Sequence, residues 1–261
     1  MSKKMMTKIM TALILVAAVL PPFLLGGWLL EALILVISAL AAYEIASLED
    51  QKPHWGMTVF ILAAIEALCH LPLSAYPAAT SLFLIVLFLV HYADEHYSMD
   101  EAAYTFLITM IIGMAWRGVY QIYTHHLGGL GMLYVGFACF LCDTGAYFFG
   151  VFLGKHKMIP RVSPNKTWEG AFGGYALGFL SSFLLGWLAI PAMPKSLLIV
   201  SSLVLPAVAE VGDLAFSSIK RRFGIKDFGS LLPGHGGVLD RIDSFLFCLM
   251  VFNGLMLIWG L

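Results

Sequence analysis

The chain has 261 residues, 60% of them hydrophobic and only 12% charged, with a mean hydropathy of +0.88. Soluble domains are about a quarter charged, and half that density does not cover a surface in water, so an ordinary soluble domain is excluded and an integral membrane protein is indicated. The 15 Lys and Arg against 16 Asp and Glu give a formal charge of -1, and this balance lacks the basic excess of a nucleic-acid-binding protein.

A hydrocarbon core about 30 Å thick requires about 20 apolar residues of helix. Nine runs approach that length, near residues 9–25, 27–47, 55–71, 75–91, 102–123, 129–153, 168–190, 197–217 and 238–259. The predicted fold is therefore all-α and polytopic, with residues 1–128 as an N-terminal set of transmembrane helices and 129–261 as a C-terminal transmembrane region with two polar loops. In the first pair, Pro21, Pro22, Gly26 and Gly27 fit either a turn between two spans or one broken helix. Lys3, Lys4 and Lys8 precede an apolar run as in a signal peptide, but no small-x-small cleavage site follows, so the segment reads as an uncleaved first span.

With alternating spans and an inside N-terminus, one side collects 13 of the 15 basic residues, the other keeps Lys195 alone, and Arg117 lies within a span. This asymmetry places the N-terminus and the two largest polar loops, 155–167 and 220–237, on the cytoplasmic side. The four cysteines, Cys69, Cys139, Cys142 and Cys248, sit in apolar surroundings. Cys139 and Cys142 form a CxxC without the second ligand pair of a zinc site, so neither a disulfide framework nor a zinc cage is expected.

Ionisable residues within spans are costly and mark functional positions. In the first half, Glu49, Asp50, Asp94, Glu95, Asp100 and Glu101 read as solvated loop acids, and Glu31, Glu44 and Glu66 as packing or snorkelling contacts near span ends. The acids of the second half are different. Asp240 and Asp243 are three residues apart at the start of the last span and share a helical face. Two such carboxylates repel unless a cation lies between them, and hard divalent ions prefer oxygen ligands. Asp213 near the end of the preceding span would complete a three-carboxylate site; the alternative is a salt-bridge network with Lys220, Arg221 and Arg241. Gly234, Gly236 and Gly237 around His235 let backbone N–H groups converge before a helix N-terminus, which suits phosphate oxygens. A loose turn is the alternative, and Lys220, Arg221, Arg222 and Lys226 upstream favour phosphate. The loop 155–167 adds Ser163, Asn165 and Thr167 around Lys166. Headgroup attraction explains its charges, and a phosphorylated substrate explains the hydroxyl and amide donors as well. These residues predict phosphoryl or nucleotidyl transfer to a lipid, without specifying the nucleotide.

Two stretches carry a family resemblance. Ser217-Ser218-Ile219-Lys220-Arg221, Lys226-Asp227 and Pro233-Gly234-His235-Gly236-Gly237-Val238-Leu239-Asp240-Arg241-Ile242-Asp243 meet every specified position of a signature over 27 residues. Upstream stand Asp143-Thr144-Gly145-Ala146-Tyr147-Phe148 and Ser163-Pro164-Asn165-Lys166-Thr167-Trp168-Glu169-Gly170. The chain thereby resembles the phosphatidate cytidylyltransferases, or CDP-diacylglycerol synthases, specifically from about residue 137 to 244. The resemblance implies transfer of CMP from CTP to phosphatidic acid in the cytoplasmic membrane of a bacterium, magnesium as cofactor with potassium as a second cation, and a homodimer in the lipid bilayer. It implies Asp213, Asp240 and Asp243 at the metal centre, and Asp143 at a second cation or orienting a neighbour. Lys166, Lys220 and Arg221 would hold phosphates, with Lys226 and Arg241 as further substrate-binding residues and Ser163, Asn165 and Thr167 on the lipid phosphate or CTP. His235, Gly236 and Gly237 would cradle the triphosphate. One position departs from the pattern: a Glu often precedes the signature Ser, where this chain has Phe216, with Glu210 as a partial substitute. A transporter predicts repeated halves with sites at the midplane, and this sequence is asymmetric. The aspartate motif of the CDP-alcohol phosphotransferases is absent.

Overall fold

The structure, a computed structural model, describes residues 3–52, 54–232 and 236–261, with side chains from residue 10 onward except at 12 and 13. Among the described residues nine α-helices follow one another: α1 Lys3–Leu25, α2 Gly27–Ala46, α3 Trp55–His70, α4 Tyr76–Ala93, α5 Met99–Thr124, α6 Gly128–Leu153, α7 Trp168–Ala189, α8 Lys195–Arg222 and α9 Leu239–Ile258. Among the described residues seven helical stretches are long and apolar enough to cross a membrane, those of α2 and α4 to α9. The shorter apolar helices are α3 and the Ile14–Leu25 part of α1. The protein is thus an all-α, polytopic membrane protein. Each expected apolar run falls on one helix, and the first pair proves to be two helices. Pro21 and Pro22 remain inside α1, and the break comes at Gly26 and Gly27, whose φ angles of 70° and 61° are left-handed.

Three features differ from the sequence reading. Between α6 and α7 lies a small hairpin, β1 Lys157–Ile159 paired antiparallel with β2 Ser163–Thr167, where an all-α reading expected only loop. Glu101 is no solvated loop acid: it is the third residue of α5, closes a capping box with Ser98 and is buried. Finally, α8 continues through Arg222, so Lys220, Arg221 and Arg222 form its last turn, where cations complement the helix dipole.

The main apolar cluster runs from Leu30 and Ile34 of α2 through Trp116 of α5 to Phe252 and Met256 of α9, and a second, with Phe83, Leu87, Tyr97 and Ala102, seats α4. The main cluster continues across residue 128, so the N-terminal helices and the C-terminal region share a core. All four cysteines are free and buried. The Cys142 thiol reaches the Pro206 carbonyl at 3.4 Å and the Cys139 thiol reaches Ser244 Oγ at 3.4 Å, so the CxxC serves helix packing.

Among the described residues α6 and α7 make the most extensive helix–helix contact. Gly170, Gly174, Gly178, Ser182 and Gly186 recur every fourth residue of α7 and are all buried. This spacing places them on one face, and small residues let helix backbones approach. A Cβ on Gly174 would stand 2.8 Å from Ala146 N, and one on Gly178 would stand 2.7 Å from Ala138 O. Gly174→Ala is therefore expected to destabilise the bundle by about 1–3 kcal/mol through overpacking. Thermal unfolding in detergent reads this directly, and an unchanged midpoint would contradict the tight approach.

Candidate active site

The loop after α6 is rigidified from both ends. Val162 N–H donates to Ile159 O at 3.1 Å across a turn that holds Pro160 and Arg161, and Trp168 N–H donates to His156 O at 3.0 Å. The Thr167 hydroxyl accepts the Gly170 N–H at 3.2 Å and caps α7. Glu169, in the first turn of α7, accepts the Lys155 and His156 N–H groups at 3.1 and 3.2 Å and pairs with His156 Nδ1 at 2.5 Å. The Ser-Pro-Asn-Lys-Thr-Trp-Glu-Gly stretch is thus half hairpin and half helix cap, and it aims the Lys166 side chain at α8.

There Lys166 Nζ lies 2.6 Å from Glu210 Oε2 and 2.7 Å from Asp213 Oδ2. Burial alone would lower the Lys166 pKa, but the Asp213 and Glu210 carboxylates outweigh it and hold the ammonium above its ordinary value. Lys166 is therefore a fixed positive charge. Beside it opens a cavity of about 840 Å³ between the hairpin, α6, α8 and α9. Asp143 of α6, Asp213 of α8 and Asp243 of α9 all line it. Ser244 sits between two of them: its hydroxyl donates to Asp143 Oδ2 at 3.0 Å, and its N–H donates to Asp243 Oδ1 at 2.8 Å. Ser163, Asn165, Thr167, Lys220, Asp240 and Arg241 also face this cavity.

Asp240 is engaged differently from its neighbours. Its Oδ1 pairs with Lys220 Nζ at 2.7 Å, and its Oδ2 accepts the Phe228 and Gly237 N–H groups at 2.8 and 2.9 Å. The Asp240 side chain is 2% exposed and that of Lys220 10%. This buried pair, with its two backbone donors, ties both ends of the segment 228–237 to α8 and α9. Gly236 has a φ of 82°, in the left-handed region, and its carbonyl accepts the Leu232 N–H at 2.9 Å.

The sequence-predicted residues separate into three groups. Asp143, Ser163, Asn165, Lys166, Thr167, Asp213, Lys220, Asp240, Arg241 and Asp243 are brought together around the cavity. Arg221, Lys226, Gly236 and Gly237 are not among its lining residues. The Arg221 guanidinium instead donates to the Val162 and Ile225 carbonyls at 3.3 and 3.1 Å, fastening the hairpin to the end of α8. His235, with Gly234, lies outside the described residues. Phe216, at the position of the missing family Glu, is fully buried and packs edge-on against Phe228 and Phe247. Sequence reasoning gave Glu210 little weight and Ser244 none. Glu210 meets Lys166 from 44 residues away and Ser244 meets Asp143 from 101, so no local spacing signals either pairing.

Fold and cavity together define a polytopic helical membrane protein with a mixed-charge pocket at one end of its bundle. The sequence matches the Cytidylyltransferase family over residues 6–259, and the chain belongs to that family. It is 33% identical over 264 residues to a phosphatidate cytidylyltransferase of Staphylococcus epidermidis, covering 97% of this chain and 99% of that protein. Proteins of the same name from Staphylococcus aureus and Staphylococcus haemolyticus are each 32% identical, again over 97% of this chain and 99% of theirs.

Proposed function

We propose that this protein transfers CMP from CTP to phosphatidic acid, releasing pyrophosphate and forming CDP-diacylglycerol. The observation that carries this reading is one cavity in which Lys166, Lys220 and Arg241 stand beside Asp143, Asp213 and Asp243 at the end of an apolar bundle. Both reactants are anionic, and their approach needs cations fixed in advance. The cavity also has an apolar edge: Phe140, Tyr147 and Val151 of α6 line it, and all three are exposed on the outer face of that helix. A phosphate headgroup can reach the charged interior while its acyl chains remain along α6. The names of the relatives support phosphatidate as the acceptor.

In this reading Lys166, Lys220 and Arg241 hold phosphate oxygens, and Ser163, Asn165 and Thr167 orient them by hydrogen bonds. The phosphatidate oxyanion attacks the α-phosphorus of CTP and pyrophosphate leaves in line. No protein base is required, because a phosphate monoester is already nucleophilic near neutral pH. The donor chemistry fits magnesium, since carboxylate oxygens are its preferred protein ligands. Asp143 and Asp243 each lie within electrostatic range of Asp213. Both Asp240 oxygens are already bonded, so Asp143, Asp213 and Asp243 are the carboxylates of this set that would hold the ion. Among the described residues no three such groups converge at ligand distance, and Asp213 meets Lys166 through Oδ2 alone. When bound, magnesium would neutralise charge on the phosphates and polarise the α-phosphoryl group. The orientation with this cavity on the cytoplasmic face follows from the basic loops, and we extend the proposal to a homodimer.

A pyrophosphate-release assay on the purified protein in detergent, with phosphatidic acid and each of the four NTPs, tests the reading. Release with CTP, lost on chelation and restored by magnesium, is expected; release insensitive to chelation would overturn the metal. Lys166→Met is expected to lower kcat/KM for CTP by roughly 100-fold in a protein that still folds. A variant that cannot be folded would instead make the Lys166, Glu210 and Asp213 cluster a structural element.

A further inference from the structure

We infer that Glu44, a carboxylate of α2 far from the signature residues in sequence, is a positioning residue that holds the backbone around Gly229 and at 237–239 in place for catalysis. This rests on the reaction proposed above and concerns a residue outside every motif of the family resemblance. The observations are geometric. Glu44 lies in the last turn of α2, is 1% exposed, and is 194 and 195 residues away from its two partners. Its Oε1 accepts the Val238 N–H at 2.7 Å and its Oε2 accepts the Leu239 N–H at 2.9 Å.

These are the donors that a helix N-terminus leaves unsatisfied. Val238 at the N-cap of α9 has no side-chain acceptor to offer, so the cap is supplied from another helix. A carboxylate here also complements the positive end of the α9 dipole. Glu44 further sets how the segment lies. A Cβ on Gly237 would stand 2.7 Å from Glu44 Oε2, and one on Gly229 would stand 3.1 Å from Oε1. The backbone therefore passes close to the carboxylate at these two glycines, while Asp240 accepts the neighbouring Phe228 and Gly237 N–H groups. Two carboxylates, one from α2 and one from α9, clamp the backbone that leads into Asp240, Arg241 and Asp243. A displacement of about 1 Å at a reacting group can cost about 100-fold in rate, so the clamp acts on turnover through the residues it places.

The test compares wild type, Glu44→Gln and Glu44→Asp as full-length proteins in detergent. Gln keeps the size but turns one acceptor into a donor facing an N–H group, whereas Asp keeps both acceptors on a shorter stem. For Glu44→Gln the expected result is a kcat per folded molecule roughly 10- to 100-fold lower, with KM for CTP and phosphatidate within about threefold and faster amide exchange at residues 236–240. Glu44→Asp should fold and recover part of the lost kcat. Wild-type kcat in folded Glu44→Gln, or loss of folding in both variants, overturns the positioning role and leaves Glu44 a purely structural cap. If Gln alone fails to fold, a folded Asp variant with reduced kcat supports the role. A wild-type protein inactive with CTP and phosphatidate would instead overturn the reaction, which the exchange measurement at 236–240 distinguishes from a failure of the clamp.

Discussion

Asp243→Asn is expected to reduce turnover by roughly a thousandfold in a protein that folds and unfolds as the wild type does. Asp243 lines the cavity, is 7% exposed, and has the Asp213 and Asp143 carboxylates within electrostatic range. Asn preserves the shape and still offers an oxygen to the Ser244 N–H. Neutralising one of several clustered, buried carboxylates relieves repulsion and desolvation, so stability is expected to hold or rise. Activity should thus fall with no loss of stability, the mark of a residue kept for chemistry and not for the fold. Turnover by radiolabelled CTP and thermal unfolding on the same preparation check this; wild-type turnover would remove Asp243 from the site.

Asp240→Ala is expected to behave oppositely and lose both properties together. It strands the Lys220 ammonium, whose side chain is 10% exposed, and deprives the Phe228 and Gly237 N–H groups of their acceptor. Breaking a buried ion pair by removing one partner costs about 3–5 kcal/mol. A marked fall in the unfolding midpoint should therefore accompany the loss of turnover. An Asp240→Ala protein with a wild-type midpoint and no activity would show instead that Asp240 acts directly on the substrate or a cation. The pair of variants separates two aspartates that their spacing in Asp240-Arg241-Ile242-Asp243 makes look equivalent.

That contrast shows where sequence reading reaches its limit. The helices were legible because lipid imposes a length and an apolarity on every span, and even the turn at Gly26 and Gly27 was one of two stated alternatives. The grouping of Asp143, Lys166, Asp213 and Asp243 was legible from motif and polarity together. What the residues did with one another was not. Asp240 and Asp243 share a helical face and both line the cavity, yet Asp240 has both oxygens bonded to Lys220 and to two backbone N–H groups, whereas Asp243 meets the N–H of Ser244. Glu44 read as a packing acid because its partners are backbone groups in another helix, which leave no trace in side-chain spacing. The hairpin escaped because β1 has only three residues and β2 contains a proline, while the bonds that Glu169 accepts from the Lys155 and His156 N–H groups hold the approach to β1 from fourteen and thirteen residues away. The small-residue stripe of α7 was present in the sequence, and its period of four is the signal that would have paired α7 with α6.

The most direct measurement follows the phosphorus atoms. Purified protein in detergent is given phosphatidic acid and CTP labelled at either the α- or the γ-phosphate, and the lipid phase is counted. The account predicts that α-label enters the lipid, one equivalent for each pyrophosphate released, and that γ-label stays entirely in the aqueous phase. Label passing from the γ-phosphate into lipid, or none from either position in folded protein, would contradict it.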